Sequence, residues 1–335
     1  MPTGAKRVTL RDVADEVDLS VAAVSYALRG LQVPAETQQR VREAADRLGY
    51  RVDPIARALV SGRTGQVGVV CRSLADPWQQ EVAAALGREL LAADRLALIV
   101  DSSNDPIVEE RLAGQLLGQR VDAMIVLPTD PSATHWTHLA EQTVVVAVGD
   151  ALPGAEARAE IVFDNRSAVL AALRRLADAG HGRVAVLTPG DPSTPDRPVE
   201  VIAHEVADEL GLDLALHTSP HDLAGARAVA ARLLDAARPP TAFFCLSDSM
   251  AYGVYAAARD LGLDVPGDVS VLGSDDNEVS ALLTPPLSGY RWPFEELIAA
   301  VVAATLDALD DGLPSPRRVL HAIPTEGGSV GPPRA

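Results

Sequence analysis

Residues 9–30 read TLRDVADEVDLSVAAVSYALRG. Leu10, Val13, Ala14 and Val17 recur at helical spacing. Thr9 stands just before them as an N-cap, with Asp12 three residues on, close to a capping box. Asp18 and Leu19 leave room only for a very short turn. Ser20 then caps a second helix, whose inward stripe is Val21, Val24 and Leu28. Its outward face is Ala22, Ala23, Ser25, Tyr26 and Arg29, and Gly30 ends it as the residue beyond the C-cap. A third helix is expected over residues 34–48, with Val41, Ala44, Ala45 and Leu48 inward and Gly49 closing it. Two helices joined by so tight a turn make a helix-turn-helix, whose second helix can enter a DNA major groove. A plain three-helix cluster would show the same spacing, so the surrounding sequence has to decide.

The next segment, DPIARALVSGRTGQ, opens with Asp53 as N-cap and Pro54 at the first helical position. Ser61 and Gly62 stop that helix after about two turns, and so short a helix is marginal alone in water. It is expected to fold only against a partner, DNA or a second copy of itself. Arg57 and Arg63 can reach phosphates, and Leu59, beside Ala58, can wedge between base steps in the minor groove. A plain linker would use the same Gly, Ser and Thr.

Charge is divided along the chain. The 335 residues carry a net charge of −17. Residues 1–65 nevertheless hold 10 basic and 8 acidic residues, leaving 19 basic and 38 acidic for the rest. An acidic body repels phosphate, so DNA contact would be confined to the head. With 47% apolar and 22% charged residues, wholesale disorder is excluded. Cys71 and Cys245 form no CxxC pair and sit in apolar runs, as reduced buried thiols of the cytosol do. No apolar run approaches the ~18 residues of a membrane span, and the first residues lack the apolar region of a signal peptide.

From residue 66 the pattern changes to strand-like runs at 66–70, 96–100, 123–127, 144–148, 161–163, 184–187, 214–217, 242–246 and 270–272. They are rich in Val, Ile, Leu and Ala without strict alternation, as expected for buried parallel strands. Helical patterns at 79–93, 107–119, 166–179, 225–237 and 249–261 lie between them, giving the alternation of doubly wound α/β domains. So many strands exceed one small sheet. A last helix over 294–311 and a strand over 318–323 complete the core, and GGSVGPPRA reads as a floppy tail.

Residues 8–30 and 33–70 together resemble the head and hinge of the LacI family of bacterial transcriptional regulators. HGRVAVL, PPTAFFCLSDSMAYG, DVSVLGSDD and LLTPPLSGYRWP resemble that family's core, and the likeness runs in order over about residues 8–326. The resemblance implies a small all-α helix-turn-helix DNA-binding domain plus an α/β core of two doubly wound subdomains, periplasmic-binding-protein-like. The implied division is a head at 1–51, a hinge at 52–65 and a core at 66–326, with a flexible tail at 327–335. Within the core, the first subdomain is 66–160 with 291–326 and the second is 161–290. It further implies a cytoplasmic, nucleoid-associated homodimer, a repressor that binds a pseudo-palindromic operator and answers to a small-molecule effector. Thr9, Ser20, Val21, Ala22, Ser25, Tyr26 and Arg29, with Arg57, Ala58 and Leu59, would meet DNA. Val21, Ala22, Ser25 and Tyr26 would face base edges.

The effector, a carbohydrate or related polar metabolite, would lie between the subdomains against Asp76, Trp78, Arg197, Ser247, Asp248 and Asp275. Several positions depart from the family pattern. Tyr26 replaces the usual arginine, Asp18 the turn glycine, Pro34 a serine cap and Trp292 a glutamine. Glu200, Val201 and Pro220 also stand at atypical places. A transport protein sharing the core would have an export signal and no head.

An enzyme would need a catalytic constellation, and none is legible. His135 with His138, and His217 with His221, lack a third metal ligand. His204–Glu205 starts a zinc motif that Asp208 breaks. There is no GxSxG elbow, P-loop or GxGxxG. Asp275 and Asp276 are adjacent in an extended chain and should point to opposite sides. No cofactor is implied.

Overall fold

The computed structural model describes residues 8–28, 30–31, 33–51, 58, 62–189, 199–220, 222–310, 312 and 314–334. The chain divides into two compact units, residues 1–64 and 65–335.

Among its described residues the head unit has the helices α1 (Leu10–Val17), α2 (Val21–Leu28) and α3 (Ala35–Leu48). The capping box at α1 is complete: Asp12 N donates to Thr9 Oγ1 at 3.3 Å and Thr9 N to Asp12 Oδ2 at 2.7 Å. Asp18 ends α1 at φ 52°, in the left-handed region that aspartate tolerates better than most residues. Ser20 Oγ accepts from Ala23 N at 3.1 Å and so starts α2. The core gathers Val13, Ala14, Val17, Val24, Ala27, Val41, Ala44 and Ala45. Val21 is 41% exposed, so it is not part of the inward stripe. Spacing puts residues 21, 24 and 28 on one stripe, but α1 and α3 cover only the part centred on Val24 and Ala27. Arg40 Nη2 donates to Val17 O at 2.7 Å, tying α3 to the end of α1.

The core unit holds two larger parallel sheets, besides a two-stranded antiparallel one. The first has the order β11-β5-β4-β3-β1-β2 and the second β7-β6-β8-β9. The first comprises β1 (Gln66–Cys71), β2 (Leu96–Asp101), β3 (Ala123–Val126), β4 (Val144–Gly149), β5 (Ala159–Phe163) and β11 (Arg318–Leu320). The second comprises β6 (Arg183–Thr188), β7 (Asp213–Thr218), β8 (Ala242–Cys245) and β9 (Ser270–Leu272). Every pairing within both is parallel.

Each sheet separates two cores. Val146 and Val148 join helices Pro77–Ala92 and Phe294–Asp310 on one face, while Val145 and Ala147 join Pro106–Gly118 and His135–Ala140 on the other. In the second lobe Phe244 packs with Asn165–Asp178 and Val199–Leu210, and Phe243 and Cys245 with Leu223–Leu234 and Asp248–Asp260. Burial on both faces is why the strands read as apolar runs rather than alternations.

The chain crosses between lobes three times. The first crossing follows β5, so residues 161–163 belong to the first lobe and the boundary expected at 160/161 shifts. The second follows β10 (Gly289–Arg291), and the third follows β11. The strand expected over 318–323 is two: β11 in the first sheet, and β12 (Ile323–Thr325) paired antiparallel with β10.

The floppy tail is a further correction, because it packs on the second lobe. Ser329 is fully buried; its N-terminal neighbours pass so close to Pro286 and Leu287 that a Cβ on Gly327 would collide with their backbone. Ser329 Oγ donates to Val271 O at 2.6 Å and accepts from Ser288 N at 2.7 Å. Gly331 O lies 2.9 Å from Nε2 of the buried His181, whose Nδ1 lies 3.0 Å from Thr241 Oγ1. Glycine and proline here serve close packing, not freedom. Ser329→Ala should therefore lower the unfolding free energy by about 1–3 kcal/mol, since it leaves the Ser288 N–H buried and unpaired. Urea denaturation checks this; an unchanged midpoint would mean the tail carries no stability.

Candidate functional site

In the head, Ala22 and Tyr26 are exposed beside Val21, and Ser25 is half-buried. Together they form the outward start of α2. Thr9 and Ser20 are the caps of α1 and α2. Ala58 is helical and half-buried, and Gly62 N donates to its carbonyl at 2.8 Å. Arg29, Arg57 and Leu59 lie outside the described residues, as does most of the hinge, so its expected folding on DNA is not addressed by the structure.

In the core, the C-terminal ends of the strands carry the remaining candidates, where open α/β sheets bind ligands. Asp76, buried, N-caps Pro77–Ala92 by accepting from Trp78 N at 3.1 Å. Trp78 is half-buried and bridges the cores of both lobes. Ser247, buried, caps Asp248–Asp260 and lies 2.7 Å from Ser249 Oγ, so its hydroxyl is engaged within its own helix. Arg197 lies outside the described residues.

Asp248 does something other than face a ligand. Its carboxylate accepts from Ser274 N at 3.1 Å, Asn277 N at 2.9 Å and Ser280 Oγ at 2.5 Å. Its own N–H donates to Asp275 Oδ2 at 3.1 Å. Asp248 is thus the post around which the loop after β9 folds, and Asp275, partly exposed, is what that loop presents. Asp276 pairs with Arg291 at 3.5 Å. Its backbone is left-handed at φ 59°, not extended as the sequence suggested, so the loop turns there and strand alternation does not set the two carboxylates' directions. Gln79 was not legible as important: its Oε1 accepts from Arg72 N at 2.9 Å and Ser73 N at 3.3 Å, fixing the loop that carries Asp76.

Burial raises the carboxyl of Asp76, and raises that of Asp275 well above the usual range. Asp275 is pushed further by the charges of Asp248 and Asp76, the latter from the opposite lobe. Asp248 is raised by burial against the pull of its hydrogen bonds. Acids from both lobes therefore converge on one region, and hydrogen-bond donors on a guest would relieve their mutual repulsion. Among the described residues no three His, Cys, Asp or Glu are grouped to hold a metal ion, and His221 lies outside those residues.

Residues 9–53 match the family described as bacterial regulatory proteins, lacI family, and residues 173–330 the periplasmic binding protein-like domain. The HTH-type transcriptional regulator MalR of Streptomyces coelicolor is 32% identical over 329 residues, 94% of each chain. The chain belongs to the LacI family. Catabolite control protein A of Priestia megaterium is a second such relative, 28% identical over 88% of this chain and 90% of its own. In fold, this LacI-family chain matches the lac repressor dimer bound to operator and an anti-inducer, with a TM-score of 0.85 at 22% identity, over 97% of this chain and 99% of that one. The LacI-family protein is accordingly a DNA-binding transcriptional regulator and not an enzyme. No helix among its described residues is long and apolar enough to cross a membrane.

Two outcomes follow for the carboxylates. Asp248→Ala should cost at least about 1–3 kcal/mol of stability, because buried loop donors lose their acceptor; unchanged urea unfolding would return Asp248 to the ligand-contact role. Asp275 has a folded value above its unfolded one, so its contribution is fully present below about pH 4 and is lost as pH climbs through the raised value. Stability measured from pH 4 to 8 should fall less steeply in Asp275→Asn than in the unsubstituted protein. An identical slope would remove Asp275 from the titrating group.

Proposed function

We propose that this regulator is a repressor that binds a pseudo-palindromic operator as a homodimer and releases or tightens it when a small polar metabolite enters the interlobe cleft. The observation that carries the DNA reading is α2: Val24 and Ala27 anchor it while Val21, Ala22 and Tyr26 are exposed and Ser25 half-buried on its outward side. Val21 and Ala22 suit thymine methyls, and Tyr26 can make a hydrogen bond to a base edge. The surrounding charge supports confinement of DNA to the head. The protein acts in the cytoplasm, on the chromosome.

The homodimer reading rests on an apolar patch of the first lobe. Leu96 and Ile99 lie on edge strand β2, and Leu91 and Ile107 on the flanking helices; all four are exposed, Ile107 at 77%. Such a patch is costly to leave in water, and a second copy covers it with an equivalent surface. For the cleft, Trp78 offers a flat apolar face beside Asp76 and Asp275, a chemistry that fits a carbohydrate or related polar ring. Arg197 would add a charged donor from the second lobe. A guest touching both walls biases the lobe angle only by binding one arrangement better than another.

Binding-site selection with Tyr26→Arg should shift the preferred base to guanine at one position of each half-site. Recovery of the same motif from both proteins would displace α2 as the reading helix. Ile107→Glu should convert a dimer to a monomer in sedimentation and weaken operator binding by more than tenfold. A dimer of unchanged strength would place the interface elsewhere.

A further inference from the structure

A line of aromatic rings runs from the cleft into the second lobe. Trp78 meets Phe163 edge to face, with centroids 5.8 Å apart and planes at 73°. Phe163 stacks on Trp292 at 4.2 Å and 9°. Trp292 then meets Tyr290 edge to face at 5.7 Å and 78°. Trp78 and Phe163 are half-buried and form an open corner, whereas Trp292 is only 8% exposed. Gly149 also lies close to Phe163: it sits at φ 87°, and a Cβ there would lie 3.3 Å from Phe163 Cε2. Phe163 thus has both Gly149 and the Trp292 ring close against it.

The three rings come from three different segments. Trp78 is on the first lobe, Phe163 ends β5 at the first crossing, and Trp292 follows β10 at the second. We propose that Trp292, a tryptophan where the family pattern has glutamine, is a positioning residue for the cleft. Through its stack on Phe163 it sets the angle of the Trp78–Phe163 corner, and the corner is complete in only one arrangement of the two crossings. Face-to-face and edge-to-face contacts each have a narrow favoured geometry, so tilting one ring is felt by the next. The corner suits the flat apolar side of a ring whose rim donates hydrogen bonds toward Asp76 and Asp275; that consequence rests on the cleft reading above. A guest lying on Trp78 would feel Trp292 without touching it.

The chain holds three tryptophans, and the third, Trp136, is buried in a separate core of the first lobe. Full-length protein labelled with 5-fluorotryptophan therefore gives a ¹⁹F spectrum with a reporter at the corner and an internal control. Trp292→Leu should move or broaden the Trp78 resonance, Trp292→Phe should return it close to its original place, and Trp136 should stay fixed in both. A Trp78 resonance unmoved by Trp292→Leu, or displaced equally by leucine and phenylalanine, overturns the proposal. If Trp136 moves as well, Trp292→Leu has disturbed the lobe at large, and Phe163→Leu becomes the deciding variant. Loss of the middle ring must then displace Trp78 and Trp292 together with Trp136 fixed; any other pattern overturns the proposal. These spectra are recorded without ligand, so their failure is separate from that of the cleft reading. The latter falls if Asp275→Ala leaves the thermal shift given by a panel of free sugars unchanged.

Discussion

Three crossings of one chain between two parallel sheets constrain everything else in the core. A lobe attached by a single strand could swing freely, but here β5, β10 and β11 all end at the boundary. Asp164 N bonds Leu320 O at 2.9 Å, and β10 pairs with β12, so the crossings are bonded to one another as well as to their lobes. Relative motion is thereby limited to adjustments these bonds permit.

The cleft is built by groups that are mostly not in it. Asp248 spends its carboxylate on the loop after β9, Gln79 on the loop after β1, and Ser247 on its own helix. Asp275, Asp76 and the Trp78 ring are the candidates that remain for a guest, although Asp76 also caps its helix through Trp78 N and Asp275 accepts from Asp248 N. Burial raises both acids, and charge reaches them across the lobes: Asp76 raises Asp275, and Asp248 raises Asp76. Buried polar groups of this density demand full pairing. That demand explains why so many side chains near the cleft hold backbone rather than ligand.

Much of the architecture was legible in the sequence. Nine strand-like runs coincide with β1–β9 to within two residues at each end, and the head helices follow from spacing and caps. These features are local: helix caps act within a few residues, and a strand buried on both faces must be apolar throughout. The resemblance then identified the family, since its motifs occur in order along nearly the whole chain. At the candidate site the fold brings Asp76, beside Trp78, near enough to act on Asp275, and it leaves Ala22 and Tyr26 exposed.

The sequence by itself determined the elements, the head and the alternation of the core. The tertiary structure decided which side of a pattern is covered and what each polar group is for. Val21 has the spacing of a core residue but lies beyond the cover of α1 and α3. GGSVGPPRA has the composition of a loose tail, yet Ser329 is buried because residues 271 and 288 come to it from 58 and 41 positions away. Asp248 and Asp275 look alike in sequence, and only the fold of the loop gives one to structure and leaves the other to the cleft. Trp292 reads as a departure from the family pattern until Phe163, from another crossing, is found against its face. In each case the deciding partner is distant along the chain, so no local pattern could carry it.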